Sequence, residues 1–164
     1  MKELKLADGV YNFIFKGGHT FFPACMDGIG EVTRMYIGTE EFYATCSTSQ
    51  FLKKISRELC MDLALVRRRS WDMLGQRKFP PLAFKEAFIL IPFSFGVFSK
   101  AHRTCFIKYV SIKHYDAESP QSSSRIILKD SHTLKIPQHL RYVKSQLRQA
   151  ENLRLRYKDW NGEL

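Results

Sequence analysis

The sequence predicts an α+β fold: a mainly antiparallel sheet with a central amphipathic helical segment and a long C-terminal helix. Short stretches rich in β-forming residues occupy much of residues 10–45 and 87–136. Apolar residues recur at helical spacing between 51 and 59 and again from 140 to 157. Because the chain has 164 residues, no internal repeat and no marked boundary, we expect residues 1–164 to form a single domain.

The first part of the chain is predicted to consist of short strands and turns. Residues 10–15 are rich in β-formers and stop at Gly17-Gly18, which we interpret as a hairpin turn because no phosphate-loop pattern follows. Polar and apolar residues alternate over 31–37, as in a half-buried strand. The predicted strands of this part are residues 10–15, 19–22, 31–37 and 42–46.

A helical segment is expected next. Residues 47–49 are of the N-cap type, and an apolar stripe at helical spacing follows them. That stripe is Phe51, Leu52, Ile55 and Leu59. A second helix is predicted over 61–74, with Gly75 as its C-cap, although the pattern also allows one long or bent helix.

The second half alternates between strands and loops before a final helix. Residues 87–91 form a continuous apolar run, typical of a strand buried on both faces, which we expect Pro92 to end. Loops are predicted over 94–103, with an exposed basic tip at 99–103, and over 116–124. The other predicted strands are 104–115, 125–128 and 133–136. Pro137 is expected to open a helix that runs to about Lys158.

The net charge of +10 is unevenly distributed. Residues 53–78 carry eight Lys/Arg against three Asp/Glu, and residues 135–158 carry seven against one. Clustered positive charge attracts polyanions, of which nucleic acid is the commonest inside a cell, whereas a solubilising surface is the simpler alternative. Both segments are predicted to be helical.

The candidate DNA-binding residues come mainly from the first basic segment. They are Lys53, Lys54, Arg57, Arg67, Arg68, Arg69, Arg77 and Lys78. Successive helical residues point about 100° apart, so Arg67–Arg69 cannot form one patch, and we expect part of this triplet to act with Arg77-Lys78. Trp71 is either a core residue or the rim of the same surface.

The final helix carries a second, less defined candidate. A basic stripe lies beside its apolar stripe, and three interpretations stay open: a solvated face, a dimerisation helix or a nucleic-acid contact. The residues concerned are Arg141, Lys144, Leu147 and Arg148.

No motif predicts an enzyme, a metal site or a cofactor. The five histidines lack metal-ligand spacing, the four cysteines form no Cys-x-x-Cys pair, and there is no nucleophile-elbow or phosphate-loop motif. The N-terminus lacks the apolar core of a signal peptide, and no apolar run reaches the roughly 20 residues of a spanning helix. We therefore expect a soluble, cytoplasmic protein that is not an enzyme.

The order of several short motifs resembles the ComK family, the bacterial transcription factors that switch on competence for DNA uptake. The resemblance covers roughly residues 42–158. The motifs are Leu59-Cys60 with arginines after it, Lys78-Phe79-Pro80-Pro81, residues 88–93, Cys105-Phe106-Ile107, a strand hairpin, Leu134-Lys135-Ile136-Pro137 and a basic C-terminal helix. Phe106 stands where the family often has Trp, and Met61-Asp62-Leu63-Ala64 replaces its usual Gly-Ser-rich segment.

This resemblance implies a DNA-binding activator that assembles as dimers on paired A-run and T-run boxes, largely through the minor groove. The chain resembles a divergent or C-terminally shortened member, because the family's longer tail, tied to higher assembly and to proteolysis through an adaptor, does not follow Leu164. We thus expect a nucleoid-associated homodimer that binds double-stranded AT-rich DNA. The alternative is a protein-interaction paralogue that heterodimerises with a full-length regulator.

Overall fold

Three layers make up the fold: helices, a seven-stranded sheet, and a third layer formed by a three-stranded sheet and a long helix. The structure, a computed structural model, describes residues 1–75, 78–96, 99, 102–119 and 122–162, with side chains as far as residue 159. The predicted fold class is confirmed, including the C-terminal helix. None of the described helices is long and apolar enough to cross a membrane.

The large sheet has the strand order β1-β4-β3-β2-β7-β6-β5, and all neighbours are antiparallel except the pair β1 and β4. Its strands are β1 (Lys2–Glu3), β2 (Gly18–Met26), β3 (Gly30–Ile37), β4 (Glu40–Ala44), β5 (Leu82–Lys85), β6 (Phe88–Ser94) and β7 (Thr104–Lys108). The small antiparallel sheet contains β8 (Ile112–Ser119), β9 (Ser123–Leu128) and β10 (Thr133–Ile136). The helices are α1 (Leu6–Phe15), α2 (Thr48–Glu58), α3 (Leu63–Leu74) and α4 (Leu140–Gly162).

Each face of the large sheet has its own apolar core. On one face α1, α2 and α3 pack around an aromatic cluster in which Phe13 meets Phe21, Phe51 and Phe88 edge to face. On the other face, Ile91 and Ile107 of the large sheet share a core with the small sheet and with α4. The buried residues of α4 include Val143, Ala150 and Leu153. Because both faces of β6 are buried, its sequence is a continuous apolar run.

Residues 10–15 belong to α1, so the prediction of a strand there is wrong. Val10 and Phe13, three residues apart, are fully buried on one helical face, whereas Tyr11 and Phe15 are exposed. Gly17-Gly18 is therefore the junction between α1 and β2 and not a hairpin turn. Gly17 has φ of +79°, and at Gly18 any Cβ would overlap the ring of Phe13.

Two prolines lie inside strands, although Pro92 was expected to end one. β2 continues through Pro23, beyond Thr20 and Phe21, the only β2 residues in register with β7. β6 continues through Pro92, whose carbonyl oxygen accepts a hydrogen bond from Nε2 of Gln146 at 3.1 Å. That carbonyl therefore points away from the sheet ladder, so the missing N–H of proline costs no strand pairing.

The segment 104–115 is two strands and not one. A 3₁₀ turn at Tyr109–Ser111 carries the chain from β7 in the large sheet to β8 in the small one. β8 then continues to Ser119, so most of the predicted loop 116–124 is strand, with residues 120 and 121 outside the described residues. The predicted strands over 125–128 and 133–136 are confirmed by the pairing of β9 with β10.

The central segment contains two helices, as one of the two predictions allowed. Ser47 caps α2 with a capping box to Gln50, and Asp62 caps α3 by accepting from the backbone N–H of Leu65. Cys60, with φ of +55°, separates the helices, and Gly75, with φ of +67°, is the predicted C-cap of α3. The last helix begins at Leu140, three residues later than predicted.

Candidate nucleic-acid interface

The predicted DNA-binding cations of α2 differ in how far they are available to a ligand. Lys53 and Arg57 are exposed, whereas Lys54 forms an i,i+4 ion pair with Glu58 at 3.1 Å. The exposed tip predicted at 99–103 is corrected at His102, which is fully buried and accepts a hydrogen bond from the backbone N–H of Thr48. Burial is the main cause that lowers the pKa of His102.

The three arginines of α3 point in three directions, as helical geometry predicts. Arg69 is half-buried and lies over the ring of Tyr157 on α4, 5.9 Å from its centroid. Arg68 is exposed and lines a surface depression with Trp71. Arg67 faces a cleft of about 270 Å³ on another side of α3. Arg69 therefore contacts α4, whereas Arg67 and Arg68 are exposed to a ligand.

Arg67 and Lys78 line two neighbouring clefts that share Phe79. Arg67, Trp71 and Phe79 line one cleft, and Lys78 and Phe79 line the next. We call the surface formed by Arg67, Arg68, Trp71, Lys78 and Phe79 the Phe79 surface. The predicted action of part of the triplet together with Arg77-Lys78 stays a prediction, because the structure places only Arg67 and Lys78 in neighbouring clefts and Arg77 lies outside the described residues.

Phe79 has an unusual backbone for an aromatic residue. Its φ is +50°, and its side chain is 44% exposed. Its carbonyl oxygen accepts a hydrogen bond at 2.9 Å from Nε2 of Gln146, a side chain that is almost completely buried. A strained residue held in place by a buried hydrogen bond is more often found at functional surfaces than elsewhere. Trp71 is 37% exposed, so it belongs to the rim of this surface and not to the core.

Partial burial lowers the pKa of Arg67 from its ordinary value. The guanidinium stays protonated at physiological pH, because arginine is effectively never deprotonated in proteins. A charged group that is partly desolvated beside aromatic rings interacts more strongly with an incoming anion than a fully hydrated one. The position of Arg67 therefore favours phosphate binding.

A second basic site lies between α4 and the small sheet. Its cavity has a volume of about 680 Å³, and its cations come from β8, from the turn after β9 and from α4. We call it the α4 groove. Its cations that form no ion pair with a carboxylate among the described residues are Lys113, Lys129, Lys144 and Arg148, and the side chains of Tyr109, Tyr115 and Leu147 also line it. Of the predicted α4 residues, Lys144, Leu147 and Arg148 therefore share one site, whereas Arg141 is exposed elsewhere on the helix beside His139 and Tyr142.

Glu151, the acidic residue of the α4 groove, is already neutralised. Arg154 donates two hydrogen bonds to its carboxylate, at 2.7 and 3.0 Å, and the hydroxyl of Tyr109 donates a third at 2.6 Å. The bonds from Arg154, and then the bond from Tyr109, lower the pKa of Glu151 to about 2. Burial, together with this carboxylate, raises the pKa of Tyr109 to about 12.

Sequence reasoning missed Lys113 and Lys129. Lys113 belongs to an alternating strand and Lys129 to a hairpin turn, where an isolated lysine has no distinctive pattern. Only the packing of the small sheet against α4 brings these two residues to the same groove as Lys144 and Arg148. The alternation of exposed residues in the predicted strand was the one sequence signal that could have indicated an exposed Lys113.

A chain of polar side chains links the large and small sheets. Its members, in order, are Arg34, Glu41, His132, Asp130, His19 and Ser111. The contact of His19 Nδ1 with the hydroxyl of Ser111 is 2.8 Å, whereas His19 Nε2 and Asp130 are 3.9 Å apart. Ser111 is only 4% exposed, so its hydroxyl is not presented to a substrate. Among the described residues, no group of His, Cys, Asp and Glu is arranged to hold a metal ion.

Comparison with known proteins adds no relative: no family model, no curated protein and no solved structure matches the chain.

Proposed function

We propose that the protein is a DNA-binding transcriptional regulator that resembles the competence transcription factors and acts at AT-rich promoter boxes in the cytoplasm. The observation that carries this proposal is the Phe79 surface, where Arg67 and Lys78 line neighbouring clefts that share the exposed Phe79, and Arg68 lines a third depression with Trp71. Cations of this kind hold the phosphate backbone and fix the orientation of the protein on the duplex.

Arginine at this surface suits AT-rich DNA in particular. The minor groove of A-tracts is narrow, and its enhanced negative potential attracts guanidinium groups. Arg67 and Arg68 supply two such groups next to exposed aromatic rings, and Lys53 and Arg57 of α2 would extend the phosphate contacts. In this proposal the protein binds DNA as a homodimer, needs no cofactor and performs no covalent chemistry.

Replacing Arg67 and Arg68 together tests the proposal. We expect Arg67→Gln/Arg68→Gln to weaken binding to a duplex with A-run and T-run boxes at least tenfold in a mobility-shift titration, because each cation releases condensed counterions when it binds. The control Lys2→Gln/Lys16→Gln removes the same charge from exposed positions near the N-terminus and should change the affinity less than threefold. Arg69 is left intact because its contact with Tyr157 is structural.

Equal affinities for the two double variants would overturn the assignment of the Phe79 surface. If the wild-type protein shifts neither AT-rich nor GC-rich duplexes but is a stable dimer by light scattering, the regulator proposal fails and a protein-interaction module takes its place.

A further inference from the structure

We propose that the α4 groove is a second binding site. Its ligand is a series of covalently linked phosphate groups, as in a nucleic-acid strand or a free nucleoside triphosphate. This inference goes beyond duplex binding at the Phe79 surface and does not depend on it. The chemistry is shared by the two ligand sources, and the experiment below separates them.

Four cations converge on one concavity from three separate parts of the fold. Lys113 comes from β8, Lys129 from the turn between β9 and β10, and Lys144 and Arg148 from α4. The backbone N–H of Lys129 donates to the carbonyl oxygen of Ser111 at 2.9 Å, which fixes the turn against the 3₁₀ segment. A surface that is basic only for solubility has no need for such convergence, whereas a concave basic site concentrates its field on an anion.

Among the described residues that line the groove, cations outnumber carboxylates. Within the described part of the chain, none of these four cations forms an ion pair with a carboxylate. Lys144 and Arg148 are four residues apart on one helical face, an arrangement that destabilises a helix by a few tenths of a kcal/mol when no anion lies between the charges. A bound phosphate would remove this repulsion.

The carboxylate of Glu151, which lines the groove, cannot neutralise these cations. Both oxygens of Glu151 are already occupied by Arg154 and by the hydroxyl of Tyr109. Arg154 and Glu151 thus cancel each other, and the lining side chains keep four positive charges for a ligand. The bidentate geometry of the Arg154–Glu151 pair makes this cancellation persistent.

The size and the apolar lining of the groove fit a nucleotide unit. A volume of about 680 Å³ lies within the roughly 300–1,000 Å³ range of small-ligand sites. Tyr109 and Tyr115 are half-buried there, and Val110 is 39% exposed. These side chains offer contacts for a sugar or a base, while the lysines and Arg148 hold the phosphates.

The α4 groove and the Phe79 surface lie on different sides of α4. Gln146 points to the backbone of Phe79, and Lys144, two residues earlier on the helix, points about 160° away from it. Changes in one site can therefore be read separately from changes in the other.

The test compares three anions on the full chain. A fluorescein-labelled 12-nucleotide single strand, ATP as its competitor and a glutamate decapeptide as a non-phosphate polyanion are titrated by fluorescence anisotropy. The Lys113→Gln/Lys144→Gln variant should bind the strand at least tenfold more weakly than wild type, and its salt dependence should fall by about 1.4 in logarithmic slope. The Lys2→Gln/Lys16→Gln control should stay within twofold of wild type.

Each outcome decides the proposal. Competition by ATP at micromolar to millimolar concentration supports a free nucleotide, and displacement only by unlabelled strand supports a nucleic-acid strand. Failure of the groove variant to weaken strand binding, or equal competition by the glutamate decapeptide, overturns the phosphate site. Neither failure affects duplex binding that depends on Arg67 and Arg68, so the two proposals are separable.

Discussion

The side chain of Lys108 is almost completely buried. Its residue is 8% exposed, and its ammonium lies 5.2 Å from the ring centroid of Phe13 and 4.8 Å from that of Phe88. Burial lowers its pKa from 10.5 to about 8, even though the two rings attract the charged form. The charged side chain therefore destabilises the fold at neutral pH.

This shift predicts how stability depends on pH. Between about pH 8 and 10.5 the unfolded chain holds a proton on Lys108 that the folded chain has released, so the free energy of unfolding contributed by this residue rises with pH. The full shift corresponds to an effect on the order of 3 kcal/mol. Urea unfolding at pH 7.5, 8.5 and 9.5 should show wild type gaining stability relative to Lys108→Met as the pH rises. A constant difference between the two proteins would contradict the burial of a charged lysine.

Single residues also show what the sequence could and could not reveal about the site. The separation of Arg67, Arg68 and Arg69 followed from helical geometry alone, and the structure confirms it. Which of the three arginines packs against another helix did not follow, because Tyr157, whose ring Arg69 lies over, is 88 positions away in the sequence. Long-range contacts decide which arginine is free to bind.

At the scale of elements, local patterns predicted most of the helices and hairpins. An N-cap among residues 47–49, the C-cap at Gly75 and a strand over residues 31–37 were predicted from a few neighbouring residues, and all three are confirmed. The expected half-burial of that strand is wrong, because Met35 and Tyr36 are buried in the cores on opposite faces of the sheet. The error at residues 10–15 has a tertiary cause. Val, Tyr, Phe and Ile favour strands intrinsically, but the aromatic core selects the helix that buries Val10 and Phe13 together.

The path of the chain between the two sheets also could not be predicted from neighbouring residues. Residues 104–115 alternate as one strand would, yet the 3₁₀ turn at Tyr109–Ser111 redirects them. That turn is held by Ser111, which contacts His19 through its hydroxyl and Lys129 through its carbonyl oxygen. Both partners are distant in sequence, so no window of neighbouring residues contains the signal.

The junction between α1 and β2 gives a test at this scale. Gly18→Ala would push a methyl group into the ring of Phe13, which is already enclosed by Phe21, Phe51 and Phe88. We expect a loss of about 1–3 kcal/mol or more in the free energy of unfolding, as is usual for overpacked cores.

Gly28→Ala is the matched control for this substitution. Gly28 lies in an exposed turn with φ of +76° and open space around it, so only the backbone cost of about 1 kcal/mol is expected there. Chemical denaturation of both variants measures the difference. Equal losses would mean that Phe13 can move out of the way, and the account of a rigid aromatic core would be wrong.

For the whole molecule, the fold sorts charge along the large sheet. Residues 1–52 carry four Lys/Arg against six Asp/Glu, and they form the β1-β4-β3-β2 end. The basic helices α3 and α4 both pack against β5 at the opposite edge. Such a charge gradient would orient the protein as it approaches a polyanion, with its basic edge leading.

The two basic surfaces lie on different sides of α4. Sequence alone placed positive charge on α3 and α4, but it could not show that the fold divides the charge between the Phe79 surface and the α4 groove. That division depends on the packing of the small sheet, whose lysines complete the groove. In the proposed account, the Phe79 surface selects duplex DNA and the α4 groove holds a further phosphate chain.

The most direct test of DNA recognition compares a duplex that carries A-run and T-run boxes with a scrambled duplex of equal composition, over a salt series. The account predicts tighter binding to the boxed duplex at every salt concentration and a steep loss of affinity on both duplexes as salt rises, because phosphate contacts give affinity and groove shape gives selectivity. Equal affinity for the two duplexes would contradict sequence-selective recognition, and binding that does not change with salt would contradict a phosphate-contacting basic surface.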